Sequence, residues 1–349
     1  MDSRERVFAA LEGRIPDQVP IMELVIDSNV IQAICPGSSY DDFIEWAGYD
    51  VVCSMAGVVS PHINWIDKQK RISRDKWGAI QIFTEEFIPL VMPPPRIQSE
   101  KDLTSYIPPD PDERGILDAV REVVNRFKGK KAIAFVGEAV FAPSQYLRAG
   151  LENLFLDYKT NPGLAKKLAK IGEEYHVELY RRVVREGVEI IVLGDDYAGK
   201  NGPLMSPADF EQFILPGLRR VVAEIKKAGA YCIKHTDGNL WKIIDQIVGT
   251  GVDALGPLEP GAGTHLDLVK KRYGNNLCVV GNIDVDILSR GSIEEVMRAT
   301  RECIAKVSPG GGHILSSANT IPSSVPSENL MAMIKTAKQW GHYPIDIKS

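Results

Sequence analysis

Short apolar runs of four to six residues alternate with longer amphipathic stretches along most of the chain. The runs are Val19–Leu24, Val51–Met55, Ala132–Val136, Glu189–Leu193, Tyr231–Lys234, Ala254–Leu258, Leu277–Val280 and His313–Ser316. Their near-continuous apolar character suits strands covered on both faces, and the amphipathic returns between them predict repeated βα units around a parallel sheet. The returns carry start and stop signals. Ser206-Pro207-Ala208-Asp209 caps a helix that repeats apolar residues over Phe210–Lys227 and stops before Gly229. Asn161-Pro162 opens another that runs to Glu186-Gly187, and Ser289-Arg290-Gly291-Ser292 precedes a third over IEEVMRATRECIAKV.

Eight such strands in 349 residues fit one (β/α)₈ TIM barrel, a fold that runs from roughly 200 to over 400 residues. A doubly wound open sheet would usually carry a Gly-rich phosphate turn after an early strand, and no G-x-G-x-x-G is present. Gly310-Gly311-Gly312 precedes a strand and reads as an αβ turn. Residues 59–115 break the rhythm. PHINWIDKQKRISRDKWGAIQIFTEEFIPLVMPPPRI reads as a hairpin with a proline-rich exit, inserted after the second strand of a single domain spanning 1–349. An insertion of that length is expected to be a lid or a substrate wall; Trp65, Trp77 and Phe83 either line a pocket from it or cover the barrel's side.

Charge and cysteine usage narrow the function classes. A formal charge of -5 with no basic block argues against nucleic acid or an anionic membrane as partner. No apolar stretch approaches a membrane span and the first residues show no signal-peptide core, so a soluble, cytoplasmic protein is expected. The five cysteines, Cys35, Cys53, Cys232, Cys278 and Cys303, are scattered with no C-x-x-C pair. Neither a disulfide framework nor a thiolate zinc knuckle follows from them.

In a barrel, chemistry sits just past the C-terminal ends of the strands. Those positions hold Glu23, Glu138, Asp195-Asp196-Tyr197, His235-Thr236-Asp237-Gly238-Asn239, Glu259, Asn282, Asp284 and Asn319. The collection puts many carboxylates, one histidine and three asparagines on one rim. Asp284 and Glu259 also read as caps of following helices, and Glu23 as a residue facing solvent. His235 and Asp237, at i and i+2 on a strand end, point the same way. They are the first choice for a working pair, with Asp195 and Asp196 as further acids. Glu138, Tyr197, Asn282, Asn319, Tyr146 and Phe141 are the candidate substrate contacts, with Tyr146 or Phe141 as an aromatic platform.

Several segments are similar to the uroporphyrinogen decarboxylase superfamily: SRERVFAALEGRIPDQVPI, MSPADFEQFILPGLRRVVAEIKKAG, the HTDGN turn, GNIDVDILSRGSIEEV, and SPGGGHILSSANTIPSSVPSENLMAMI. The resemblance spans essentially the whole chain and implies a (β/α)₈ barrel. It also implies either decarboxylation or methyl transfer with a corrinoid protein. True decarboxylases of the superfamily carry arginines just after the first strand; here MELVIDSNVIQAICPG has none. The acidic rim would repel a polycarboxylate as well. Coenzyme M methyltransferases carry a zinc site of the form His-x-Cys with a distant Cys; here His235-x-Asp237 and Asn319 stand in those places.

What remains resembles the substrate-side methyltransferases of O-demethylase systems, which move a methyl group from a methoxylated, typically aromatic donor to cob(I)alamin on a partner corrinoid protein. The alternatives are a methylamine-type or methylcobamide-dependent methyltransferase, a uroporphyrinogen-type decarboxylase, or a binding barrel without catalysis. An aryl ether expels a phenolate of pKa about 10, so the oxygen needs help from an acid or a metal. The acid version uses Asp195, Asp196, Asp237 or His235. The metal version uses zinc on His235, Asp237 and either Glu138 or Asp195.

Overall fold

In the computed structural model, which describes residues 1–58, 63–84 and 89–345, seven short strands pair in parallel. They are Val51–Ser54, Ala132–Gly137, Ile190–Leu193, Tyr231–Lys234, Ala254–Leu255, Cys278–Val280 and His313–Ile314, adjacent in that order. The expected first strand, Val19–Leu24, is not among them. Its only ladder pairing is the parallel bridge between Ile21 and Leu315. Hydrogen bonds from Met22 N to Leu315 O (3.0 Å), Leu315 N to Pro20 O (2.8 Å) and Asp50 N to Ile21 O (2.9 Å) nevertheless lay it between the last strand and the start of the first. Pro20 has no N–H to give to a longer ladder. The sixth expected run stops at Leu255, because Gly256 sits at φ +129 with the backbone of Val280 where a Cβ would stand.

Burial on both faces explains why these runs lack an alternating pattern. Val51, Cys53, Ala132, Ala134, Val136, Ile190, Val192, Ile233, Ala254, Cys278, Val280 and Ile314 form one cluster, which Val7, Ala10 and Leu11 of the helix Ser3–Leu11 join. The intervening residues, among them Val52, Ile133, Phe135, Ile191, Leu193, Leu255 and Val279, belong to a larger cluster shared with the outer helices. The two-residue period of a strand thus divides each run between two apolar environments.

The outer helices follow their sequence signals. Pro162–Glu186 starts on Asn161, whose Oδ1 accepts from Leu164 N at 3.2 Å, and stops at Gly187 in the left-handed region. Ile293–Val307 begins on a capping box between Ser292 and Glu295. The Ser206 helix differs in detail: a π-helical turn, Phe210–Ile214, precedes Leu215–Lys227. Gly310, Gly311 and Gly312 all have positive φ, and a Cβ on Gly311 would meet the Arg14 carbonyl at 2.4 Å. That turn therefore admits only glycine at its centre.

The insertion is richer than the expected hairpin. Asn64–Asp67, Ile72–Arg74, Ile80–Ile82 and Leu90–Met92 form a four-stranded antiparallel sheet, in chain order; residues 59–62 and 85–88, including His62, lie outside the described residues. Trp65 and Phe83 pair at 5.4 Å between ring centroids. Trp77 is fully buried against Tyr175 (4.9 Å) and His176 (5.9 Å) of the long helix Pro162–Glu186. Its indole is a packing anchor that ties the insertion to the rest of the chain, with no open face left for a ligand.

Candidate functional site

The loops after Ile190–Leu193 and Tyr231–Lys234 bring three side chains together. Asp196, His235 and Asp237 each offer a ligand atom, all within 4.8 Å of one another, the only such group of metal-ligand type among the described residues. His235 Nε2 lies 3.9 Å from Asp196 Oδ1 and 3.9 Å from Asp237 Oδ1. Both are too long for hydrogen bonds. His235 Nδ1 faces the Pro257 carbonyl at 3.1 Å, a contact that only an N–H satisfies. That tautomer leaves a lone pair on Nε2, aimed at the two carboxylates.

The surroundings hold this arrangement rigid. Asp237 N donates to Asp196 Oδ1 at 3.0 Å, and Asn319 Nδ2 donates to Asp237 Oδ2 at 2.6 Å. Asp237 Oδ1 is buried without a partner. Burial raises the Asp237 carboxyl to about 6, with Asp196 and Glu259 adding to the rise while His235 and Asn319 oppose it. The site is still reachable: the side chains of Asp196, Asp237 and His235 are 42%, 27% and 12% exposed.

Asp195, expected beside Asp196 as a catalytic or metal-binding acid, turns the other way. It is 1% exposed. Its Oδ1 accepts from Ala139 N (3.1 Å) and Ala142 N (3.4 Å), and its Oδ2 from Val140 N (3.0 Å), Phe141 N (3.0 Å) and the Tyr197 hydroxyl (3.3 Å). Five donors leave no oxygen for a substrate or an ion. Asp195 braces the start of the helix Phe141–Leu147. Tyr197 and Phe141, expected as substrate contacts, are themselves buried and meet edge to face at 5.9 Å. Their rings pack beneath the loops and offer no platform to a ligand.

Glu138 also stands apart from the donor group. It is buried, its Oε1 accepts from the Tyr146 hydroxyl at 2.6 Å, and its Oε2 has no partner. Burial lifts its carboxyl to about 7, opposed by the charge of Lys76 and reinforced by Asp195. Lys76 arrives from the insertion and donates to Gly57 O at 2.6 Å. Nothing in the sequence ties that lysine to Glu138. Asn282, another expected contact, donates to Leu258 O at 3.1 Å and lines an outer cavity of about 430 Å³ with Asp284 and Cys303. Asp284 caps the helix Val285–Arg290 through Asp286 N.

Two buried residues, one absent from the sequence candidates and one misread there, complete the frame. Lys234 donates from Nζ to Asp195 O (2.6 Å), Leu193 O (3.1 Å) and His235 O, and lies 4.3 Å from the Tyr197 ring centroid. One buried ammonium thus ties the two site loops together; desolvation lowers it to about 8. A lysine closing an otherwise apolar strand was the available signal. Glu23, read as facing solvent, is fully buried. It accepts from Ser317 N at 2.8 Å, and Ser317 Oγ lies 2.5 Å from its Oε2.

Comparison with known proteins fits this geometry to a family. Residues 77–340 match the family model described as uroporphyrinogen decarboxylase (URO-D). The chain belongs to the uroporphyrinogen decarboxylase family. It is 30% identical over 269 residues to the uroporphyrinogen decarboxylase of Trichodesmium erythraeum, covering 72% of this chain and 70% of that one. It is also 28% identical over 230 residues to the methylated-thiol–coenzyme M methyltransferase of Methanosarcina mazei, covering 64% and 58% of the two chains. A solved structure of a methyltransferase from Methanosarcina mazei superposes with a TM-score of 0.75 at 18% identity, covering 97% of this chain and 99% of the other. That likeness extends the shared fold over nearly the whole chain. The family relatives thus include enzymes of two different chemistries, and the site has to choose between them.

Proposed function

We propose that the chain is a corrinoid-dependent methyltransferase of this family, moving a methyl group from a small methoxylated, aromatic donor to cob(I)alamin on a partner corrinoid protein. The observation that carries the reading is the Asp196–His235–Asp237 group with its orphaned, buried Asp237 Oδ1. A methylcobamide:coenzyme M methyltransferase among the relatives, 26% identical over 232 residues, supports a corrinoid as partner; its role as acceptor is part of our reading. The replacement of two expected thiolates by Asp237 and Asn319 argues for an oxygen-bound methyl group over a thiol. We read the chain as one domain, 1–349, with the Val19–Leu24 segment completing an eight-membered barrel and the 59–115 insertion serving as lid or substrate wall.

The residues present fit a zinc ion. In a tetrahedral site with bonds of 2.0–2.1 Å the ligand atoms lie about 3.3 Å apart; His235 Nε2 stands 3.9 Å from each carboxylate and the three atoms lie within 4.8 Å of one another, so the side chains would close in on the ion. One histidine nitrogen and two carboxylate oxygens would hold the ion, with the Pro257 carbonyl on Nδ1 fixing the imidazole. In this reading Asp196 takes the place expected for Glu138 or Asp195 beside His235 and Asp237. A bound zinc would draw charge from the ether oxygen as a Lewis acid. Cob(I)alamin, when its carrier docks, supplies the nucleophile.

The chain's own residues do the rest. The methyl carbon–oxygen bond breaks with its electron pair left on oxygen, which then takes up a proton. Asp237, raised to about 6 and partly exposed beside His235, is the acid within the group that can hand a proton to that oxygen. The absence of arginine in residues 22–37 leaves nothing to hold a polycarboxylate, which disfavours porphyrinogen decarboxylation.

The deciding experiment supplies free cob(I)alamin and follows its absorbance with methoxyarenes, methylamines, methylated thiols and, separately, uroporphyrinogen. Turnover of methoxyarenes that stops on chelation and returns with zinc is the expected result. No methyl transfer from any donor, together with decarboxylation of uroporphyrinogen, would sink the proposal. Activity indifferent to chelation would remove the metal and leave acid catalysis by Asp237.

A further inference from the structure

We propose that Glu23 is a positioning residue that acts as a hydrogen-bond donor, fixing Asp237 through a relay of Ser317 and Asn319. Each link is a contact in the structure. Ser317 Oγ lies 2.5 Å from Glu23 Oε2 and is also hydrogen-bonded to the Asn319 carbonyl. Asn319 Oδ1 accepts from Thr320 N at 2.6 Å, which orients its amide, and Nδ2 then donates to Asp237 Oδ2 at 2.6 Å. The result is that Asp237 turns Oδ1, its unpartnered oxygen, towards His235.

Counting hydrogens gives the direction of the relay. The Ser317 hydroxyl has one hydrogen, and both of its close neighbours, a carbonyl and a carboxyl oxygen, would be acceptors if Glu23 were ionised. One contact would then be two oxygens facing each other with no hydrogen between them. With the proton on Glu23 both are satisfied: Glu23 donates to Ser317 Oγ, and Ser317 donates to Asn319 O. Glu23 Oε1 stays free to accept from Ser317 N at 2.8 Å. The complete burial of Glu23 agrees, since it lifts the carboxyl to about 8 and keeps the acid neutral at physiological pH. A glutamine at this position has an N–H where the acid has its O–H and would preserve the relay. A leucine of similar size would not.

The metal readout of this proposal rests on the zinc reading above; the structural readout does not. Zinc affinity is measured by competition with a chromophoric chelator for the wild type, Glu23→Gln, Glu23→Leu and Ser317→Ala. Crystal structures of each then report the Asn319–Asp237 contact. We expect Glu23→Gln to bind like the wild type, and Glu23→Leu and Ser317→Ala to lose about 10- to 100-fold in affinity with the contact broken. The proposal is overturned if Glu23→Leu and Ser317→Ala keep both contact and affinity. It is equally overturned if Glu23→Gln loses as much as Glu23→Leu, because an ionised carboxylate would then be the working form. Should Glu23→Leu fail to fold, Ser317→Ala carries the test. Should the wild type take up no zinc, the metal reading falls and the crystallographic contact alone decides.

Discussion

Replacing Asp195 by Asn keeps the side chain's size and one acceptor oxygen but turns the other oxygen into an N–H₂ donor. The consequence can be worked from the contacts. Asp195 takes four backbone N–H groups, from Ala139, Val140, Phe141 and Ala142, at 3.0–3.4 Å, two on each oxygen. Whichever oxygen becomes nitrogen, two buried backbone donors lose their acceptor and face another donor. Each buried donor left unmade costs about 1–3 kcal/mol, so the substitution costs about 2–6 kcal/mol. Total stability of a domain is about 5–15 kcal/mol, and with a urea slope near 3 kcal/mol/M the midpoint falls by about 1–2 M. Asp196→Asn is the paired control. That side chain is 42% exposed, and an Asn oxygen can still accept from Asp237 N, so stability should stay within about 0.5 kcal/mol. Zinc affinity and methyl transfer, in contrast, should fall sharply. Urea unfolding followed by circular dichroism, with zinc titration on the same samples, reads both effects. If Asp195→Asn unfolds with the wild type while only its activity is lost, Asp195 belongs to the chemistry and the brace reading is wrong.

Glu23 gives a pH-dependent prediction. Its folded pKa of about 8 lies above the ordinary 4.5, so the fold holds a proton that the unfolded chain releases, and this group's contribution falls as pH rises from about 4.5 to about 8. Glu23→Gln removes that loss: the variant should match the wild type near pH 4 and gain up to about 5 kcal/mol above pH 8, measured by urea unfolding across the range. A constant difference at all pH values would refute it. Lys234→Met should destabilise by about 2–6 kcal/mol, because the Asp195 and His235 carbonyls lose their donor while Leu193 O keeps its bond from His235 N. Thermal unfolding checks this, and an unchanged melting temperature would show that the ammonium is not the tie between the loops.

The sequence carried much of the scaffold because its code is local. Seven of eight runs became strands, and caps such as Asn161 and Ser292 placed helix starts to the residue. The His235–Asp237 pair was legible because both follow directly on one strand, although the strand stops at Lys234 and the loop beyond it sets their direction. What failed was the sorting of acids that look alike in the chain. Asp195 and Asp196 are neighbours of one type, and only the open N–H groups of residues 139–142, some 55 positions earlier, decide which of them turns inward. Glu23 and Ser317 are separated by 294 positions, so no window of sequence reveals that this rim acid is buried, and a count of rim carboxylates treats it as one more exposed charge. Trp77 and Lys76 follow the same rule, since the register of the inserted sheet decides what reaches the helix at Tyr175 and His176. Four of the rim acids therefore resolve into three groups. Asp195 is spent on backbone donors, Glu23 is buried away from solvent, and Asp196 and Asp237 face His235. A carboxylate is available to chemistry only after the backbone around it has been satisfied, and that accounting exists only in three dimensions.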